Sequence, residues 1–314
     1  RNAVILSVAI AAVGAISAGL LSSYLLWQIL IVPLRQVADS SYRIAQGRYA
    51  ERVVVPVSSG ATIAQLVINF NQMATALEKV EEQRVALLAN ISHELRTPLT
   101  GLRGYLEGLV DGLFPSNEET FGWMLAEVER LTRLVNDIHD LSRVESGRSG
   151  PALQVLDVRG ITRQIWAQFK PQAEEQQIGL DLELPEEALL VRADPDQAIQ
   201  VLINLVDNAL RYTPAGGRVR LAVVAEGQQA HIQVQDTGAG IPAAALPYLF
   251  ERFYRVDHSR SRQSGGTGIG LTISRHLARG MAGDLIAASP GRGQGSTFTF
   301  SLPLVNEQQS TINR

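Results

Sequence analysis

The sequence has no cysteine, only two lysines (Lys79 and Lys170), three methionines and 6% aromatic residues. Without cysteine there is no disulfide framework, no thiolate zinc site and no thiol nucleophile, so any chemistry must rest on oxygen and nitrogen. A large net charge of either sign is missing as well. The 28 basic and 31 acidic residues leave a formal net charge of −3, and no overall basic field exists to attract nucleic acid. Direct nucleic-acid binding is therefore not expected. Locally, residues 3–34 contain no charged side chain at all.

That uncharged run exceeds the roughly 20 residues needed to cross a bilayer core, which predicts a transmembrane helix over residues 3–32. It is too long for the apolar region of a signal peptide and lacks a small-residue cleavage pattern. Arg35, Arg43 and Arg48 follow it and only Arg1 precedes it, a bias that places the rest of the chain in the cytoplasm. Because the chain opens on arginine rather than methionine, an upstream part is expected.

After Pro33, a short amphipathic stretch (Leu34, Val37, Ser41, Ile44) runs to Gly47, followed by β-branched Val53-Val54-Val55-Pro56-Val57 and a Ser58-Ser59-Gly60 break. A longer helix then carries Ile63, Leu66, Phe70, Met73, Leu77 and Val80 in the 3-4 alternation of a coiled-coil seam. Two short helices with an extended connector, and the string Phe70-Asn71-x-Met73, resemble a HAMP signal-relay domain over residues 33–83. A plain membrane-proximal coiled-coil stalk is the alternative.

Beyond residue 84 the seam continues through Leu87, Ile91, Leu95, Leu99, Leu102, Leu106 and Leu109, but three successive steps of four leave one residue in excess of heptad phase. His93 lies at this break, about 200° around the helix from Ile91, and so should face away from the seam. Pro98 just beyond it deletes a helical hydrogen bond and predicts a bend. Phe114-Pro115-Ser116-Asn117 ends the helix, and a second one carries Phe121, Leu125, Val128, Leu131, Val135 and Ile138. Two such apolar faces over residues 84–148 predict pairing of two hairpins into a dimeric, antiparallel four-helix bundle.

Residues 151–304 change pattern. Helices are expected near 161–175, 195–212 and 269–281, with strands near 178–184, 189–193, 218–224, 231–235, 285 and 298. Strands arriving partly as hairpins predict an α/β sandwich, one helical layer on one mixed sheet, rather than strict βαβ units. Residues 305–314 remain as a tail. The fold class is therefore multidomain: a membrane helix, a HAMP-type coiled coil, an all-α bundle and an α/β domain.

Four strings in the α/β part carry ligand chemistry. Asn204-Leu-Val-Asp-Asn208-Ala-Leu-Arg211-Tyr212 puts both asparagine amides on one helix face. Asp236-Thr-Gly238-Ala-Gly240 closes a strand with an acceptor carboxylate and two glycines that permit close backbone approach. Phe250-Glu-Arg-Phe253-Tyr254-Arg255 follows, and Gly265-Gly266-Thr267-Gly268-Ile269-Gly270-Leu271 opens a helix whose free N–H groups suit a phosphate. In this order the strings closely resemble the N, G1, F and G2 boxes of sensor histidine kinases, whose GHKL-type (Bergerat) ATP-binding domain is shared with gyrase, a chaperone family and a mismatch-repair family. Ile91-Ser92-His93-Glu94-Leu95-Arg96-Thr97-Pro98 matches the H box of that family.

The resemblance implies a bacterial two-component sensor kinase in the cytoplasmic membrane: a homodimer that moves the γ-phosphate of ATP to His93. From there phosphate would pass to an aspartate of a response regulator acting in trans, with phosphatase activity toward that regulator. Asp236 would accept the adenine amine, which rejects GTP. Asn208 would ligate Mg²⁺, with Asn204 beside it. Arg211 and Arg255 would meet the phosphates, Arg255 from a mobile lid over residues 240–265 that also bears Arg252, Arg260 and Arg262. Tyr212, Gly238, Gly240, Gly266, Thr267, Gly268, Gly270 and Leu271 would complete the nucleotide site. Glu94 would orient His93 and accept its proton, and Thr97 would place a water for dephosphorylation. Arg96 contacts phosphate, an acidic partner or only solvent. A nucleotide-binding scaffold and a gyrase-type clamp are the competing classes. Retention of phosphate on the protein separates both from a kinase.

Overall fold

The structure is a computed structural model and describes residues 2–54, 60–145, 150–256 and 267–305. The chain divides into two compact units, Arg1–Ser92 and His93–Arg314.

In the first unit, α1 (Asn2–Leu26) passes through a π-helical turn, Trp27–Ile31, into α2 (Val32–Ala45). Pro33 does not interrupt the helix. Pro33 cannot donate a hydrogen bond, and the wider turn just before it lets Val32 N–H reach the Trp27 carbonyl, which keeps the helix continuous. The stretch Ile5–Ala45 is long and apolar enough to cross a membrane. Helix α2 stops at Gly47, whose φ of +91° turns the chain. Val53 then lies along α3 (Ala61–Val110), where the Asn71 amide accepts its N–H at 3.0 Å and donates to its carbonyl at 2.8 Å. Arg52 pairs with Glu78 beside this clip. Ile44, Val53, Val67, Phe70 and Ala74 form the core of the unit. The seam expected from the sequence is thus split between two faces: Val67, Phe70 and Ala74 close on α2 and the connector, while Met73, Leu77 and Val80 stay exposed in the single chain.

In the second unit α3 continues from His93 to Val110, running through Pro98 without interruption. Helix α4 (Glu118–Glu145) returns beside it, its start marked by Asn117, whose side-chain oxygen accepts the Thr120 N–H at 2.9 Å. The Tyr105 ring stacks on Trp123 at 4.0 Å and on Phe114 at 4.9 Å, which fastens the hairpin at its turn. Leu99, Leu106, Leu125, Val128 and Val135 remain exposed along the hairpin.

The α/β part contains β1 (Gln154–Asp157), α5 (Val158–Glu175), β2 (Gly179–Glu183), β3 (Leu190–Ala193) and α6 (Pro195–Tyr212). It continues with β4 (Arg218–Glu226), β5 (Gln229–Asp236), α7 (Gly270–Gly280), β6 (Asp284–Ala288) and β7 (Ser296–Pro303). Asp194 starts α6 by accepting the N–H groups of Asp196 and Gln197, with Pro195 pre-set for the first turn. The five-stranded sheet runs β2-β4-β5-β7-β6; β2 and β4 are parallel and the remaining neighbours antiparallel. Helices α5, α6 and α7 pack against it, while β1 pairs with β3 in a separate ribbon that the sequence pattern does not announce.

Val219, Leu221, Ile232, Val234, Phe300 and Leu302 are fully buried between sheet and helices. Phe300, fully enclosed between its neighbours on β5 and β6, sets a stability prediction. Phe300→Ala should cost about 3–5 kcal/mol through lost transfer energy plus a cavity, measured by denaturant unfolding. A loss under about 1 kcal/mol would mean the neighbours collapse into the space.

Candidate nucleotide and phosphoacceptor site

Helix α6 presents the paired asparagines. The Asn204 amide nitrogen lies 3.2 Å from the Ser274 hydroxyl and 3.4 Å from the Gly270 carbonyl, which ties α6 to the start of α7. Asn208, one turn on, is half-buried, and its side chain makes no hydrogen bond to another described residue. Arg211 pairs with Asp207 at 2.5 Å, which holds the guanidinium on the same helix. The Tyr212 carbonyl receives the Ala239 N–H at 3.1 Å, and its side chain is exposed.

Asp236 ends β5, opposite Ser296 in the register. The residue is 5% exposed; one carboxylate oxygen accepts the Gly238 N–H at 2.8 Å and the other the Ser296 hydroxyl. Both donors leave the carboxylate an acceptor only, as an adenine amine requires. Gly240, at φ +64°, approaches the Gly291 carbonyl so closely that a Cβ would lie 2.0 Å from it. The opposing turn, residues 289–295, braces this loop: Gly293 N–H reaches the Ala239 carbonyl, Gly295 N–H the Gly238 carbonyl, and Ile241 N–H the Ser289 hydroxyl. Ser296 and this bracing turn are missing from the sequence-based site. Their only signal is a second glycine-rich string, Gly291-Arg-Gly-Gln-Gly295-Ser296.

The first part of the expected lid is built into the domain, and residues 257–265 of it lie outside the described residues. Ile241, Ala245 and Leu249 are buried and a 3₁₀ turn occupies Leu246–Tyr248, so this part packs as wall. Thr272 donates to the Phe250 carbonyl at 2.9 Å, and the Arg275 guanidinium lies over the Phe250 ring at 4.6 Å. Phe253, left-handed at φ +61°, donates its N–H to the Gly268 carbonyl at 2.9 Å. Gly268, at φ +72°, has no Cβ to collide with the Phe253 backbone 3.0 Å away. Gly266, Arg260 and Arg262 lie outside the described residues. Leu271 is half-buried in the first turn of α7, where Gly270 follows Ile269 with no side-chain cap, so the helix start offers free N–H groups.

On the helical side His93 is exposed, and the Thr97 hydroxyl bonds back to the His93 carbonyl at 3.3 Å. Glu94 Oε2 lies 3.5 Å from Arg130 of α4 and 3.9 Å from Arg255. Burial pulls the Arg255 guanidinium below its ordinary value, against the opposing pull of Glu94. The Thr267 hydroxyl, expected at nucleotide, bonds instead to Asp137 of α4 at 2.5 Å, and Gln200 of α6 bonds Asp140 at 2.9 Å. Burial raises the Asp137 carboxyl, opposed by that hydroxyl. Arg130, Asp137 and Asp140 are further residues that sequence reasoning missed, because a charged residue on an amphipathic helix reads as solvent-facing.

Behind α7, Asp284 accepts from Arg275 and Arg279. Burial pushes its carboxyl upward, but the two guanidinium groups outweigh this and hold it at about 2, below the ordinary 3.8. The anion is therefore favoured by folding, and its contribution is present above about pH 4 and lost as pH falls toward 2. The stability difference between wild type and Asp284→Asn should narrow over that range in acid unfolding. A constant difference would mean the pairs contribute nothing.

A buried acceptor carboxylate, two asparagines one turn apart and an uncapped helix start, mounted on a helical layer over a mixed sheet, define a nucleotide-binding domain of the ATPase type. Family comparison agrees: residues 193–306 match the histidine kinase-, DNA gyrase B- and HSP90-like ATPase family, residues 83–147 the His Kinase A phospho-acceptor domain, and residues 25–79 the HAMP domain. The signal transduction histidine-protein kinase BaeS of Escherichia coli is 35% identical over 292 residues, 93% of this chain and 62% of BaeS. The sensor histidine kinase WalK of Bacillus subtilis is 38% identical over 240 residues, 75% of this chain and 39% of WalK. Among solved structures, the Acinetobacter baumannii histidine kinase AdeS superposes with a TM-score of 0.56 at 29% identity, covering 68% of this chain and 98% of that one. ShkA in complex with AMPPNP gives 0.51 at 30% identity, covering 70% and 46%. The chain belongs to the sensor histidine kinases of two-component systems. It spans less than two thirds of the length of these two curated relatives.

Proposed function

We propose that this chain is the signal-relay and kinase portion of a membrane-anchored, homodimeric sensor kinase, which binds ATP in the α/β domain and phosphorylates its own His93. The observation that carries this reading is the approach of Arg255 to Glu94, 3.9 Å apart. It sets a phosphate-seeking arm of the nucleotide domain beside the carboxylate next to the acceptor imidazole. In the transfer, a ring nitrogen of His93 attacks the γ-phosphorus and forms the N–P bond. The bond to the bridging oxygen breaks, its electron pair leaves with ADP, and the proton on the other ring nitrogen goes to Glu94.

Asp236 holds the adenine amine, Arg211 and the N–H groups around Gly268 and Gly270 hold phosphates, and Thr267 does so once released from Asp137. The Asn208 amide oxygen fits a magnesium ion, with Asn204 supporting, since that ion keeps its waters and takes few protein ligands. Such an ion would neutralise phosphate charge. Asn204, a neutral amide committed to α7, is no base for water, so phosphate is kept for transfer.

The exposed apolar rows of α3 and α4 support pairing of two hairpins as a four-helix dimer, and the apolar stretch Ile5–Ala45 supports a membrane anchor. The domains follow as membrane helix 3–32, HAMP 33–83, phosphoacceptor hairpin 84–148 and nucleotide domain 151–304. Family membership supports an aspartate of a response regulator as the next acceptor, with Thr97 placed to assist its dephosphorylation.

Incubating the purified chain with Mg²⁺ and γ-labelled ATP tests the reading. The expected label is acid-labile, base-stable and absent from His93→Gln. A wild type that binds ATP yet retains no label would overturn it in favour of a scaffold, or of a clamp if ATP is hydrolysed.

A further inference from the structure

Glu94 is approached from two directions, and one of them has no place in the mechanism above. Arg130 sits on α4, across the hairpin from Glu94, with its side chain only 14% exposed. Its other partner is Glu127, one turn earlier on the same helix, at 2.9 Å. Arg130 and Arg255 both point at the same oxygen of Glu94, Oε2, at 3.5 and 3.9 Å. The two arginines differ in what they are attached to. Arg255 belongs to the string expected to meet the phosphates, whereas Arg130 is fixed within a helix and braced by Glu127.

We infer that Arg130 is a positioning residue for the phosphotransfer: anchored by Glu127, it holds the Glu94 carboxylate through Oε2 and so fixes the direction in which the carboxylate meets His93 while Arg255 changes partners. This rests on the kinase reading above. A glutamate side chain has three rotatable torsions, and a carboxylate free to turn spends little time aligned with one ring proton. Tethering one oxygen removes that freedom before the reaction. Arginine suits the task because its planar fork can hold Glu127 and Glu94 with different nitrogens, Nη1 and Nη2, as found here.

The test uses the full chain and follows label on His93 in wild type, Arg130→Gln, Arg130→Lys, Glu94→Gln and the Arg130→Gln/Glu94→Gln double variant, with thermal unfolding of each. Arg130→Gln should lower the rate at saturating ATP by roughly 10- to 100-fold, the span of a single misplaced catalytic group, with half-saturating ATP within twofold of wild type. Arg130→Lys, which keeps the charge without the fork, should recover part of the rate. In the Glu94→Gln background, loss of Arg130 should change the rate by less than twofold, because the group it positions is gone. Wild-type rate in Arg130→Gln, a loss that multiplies with that of Glu94→Gln, or a loss that tracks unfolding and is shared by Arg130→Lys would each overturn the inference. Failure of wild type itself to label His93 would instead overturn the kinase reading.

Discussion

An Asp236→Asn variant is expected to bind ATP about 10²-fold or more weakly than wild type while losing no more than about 1–2 kcal/mol of stability, because the two effects have different physical origins. In the folded chain the carboxylate already takes two donors, the Gly238 N–H and the Ser296 hydroxyl. The hydroxyl can rotate to accept from an asparagine amide, so the fold retains a workable bond there. The adenine amine cannot rotate into an acceptor. If the amide nitrogen faces it, two donors meet in a site sealed from water; if the amide turns, its NH₂ meets the Gly238 N–H. Guanine offers a carbonyl at that position, so the variant should also lose discrimination between ATP and GTP. Calorimetric titration with both nucleotides measures this, and ATP affinity within threefold of wild type would remove Asp236 from the adenine site.

Gly240→Ala should be the more damaging change to the fold. Its Cβ would stand 2.0 Å from the Gly291 carbonyl oxygen, and neither atom belongs to a flexible side chain that can swing aside. The conformational cost of φ +64° adds to this collision. Gly216→Ala isolates that cost, since Gly216 has φ +83° but nothing within 4 Å of an added Cβ. Thermal or denaturant unfolding should show about 1 kcal/mol lost at Gly216 and more than about 3 kcal/mol at Gly240, where backbone must move. Equal losses at the two positions would mean that the 289–295 turn yields freely. In that event nucleotide affinity should survive in Gly240→Ala.

Helix α6 could be read from the sequence to its ends, because its signals are local: Asp194 and Pro195 at the start and seven apolar residues on one face, all buried. The mixed sheet was legible too, since β5 alternates between buried and open positions and meets β4 in a short turn. The features that escaped depend on partners distant in the chain. Of the β1–β3 ribbon the sequence shows β3 but not β1, a four-residue strand too short to show a period. Ser296 acquires its role only when register sets it opposite Asp236. The Asn71 clip on Val53 and the Arg130–Glu94 pair join residues whose own sequence surroundings suggest solvent. Val67 and Ala74 do not stand out beside their larger neighbours, because the coiled-coil pattern favours the latter where the chain uses its smaller residues to close on itself.

The region matching the ATPase family starts at residue 193, yet the chain is knitted together across that point. Asp194 accepts the Ala152 N–H at 2.8 Å as well as capping α6, β1 pairs residue for residue with β3, and β2 supplies the parallel edge next to β4. A piece cut at 193 would therefore lose an edge strand and α5, and would expose the buried side of β4 to water. For evolution by domain shuffling, the transferable module is longer than the segment bearing the recognisable motifs. A recombination joint inside the β1 to β3 stretch would yield two fragments that each need the other.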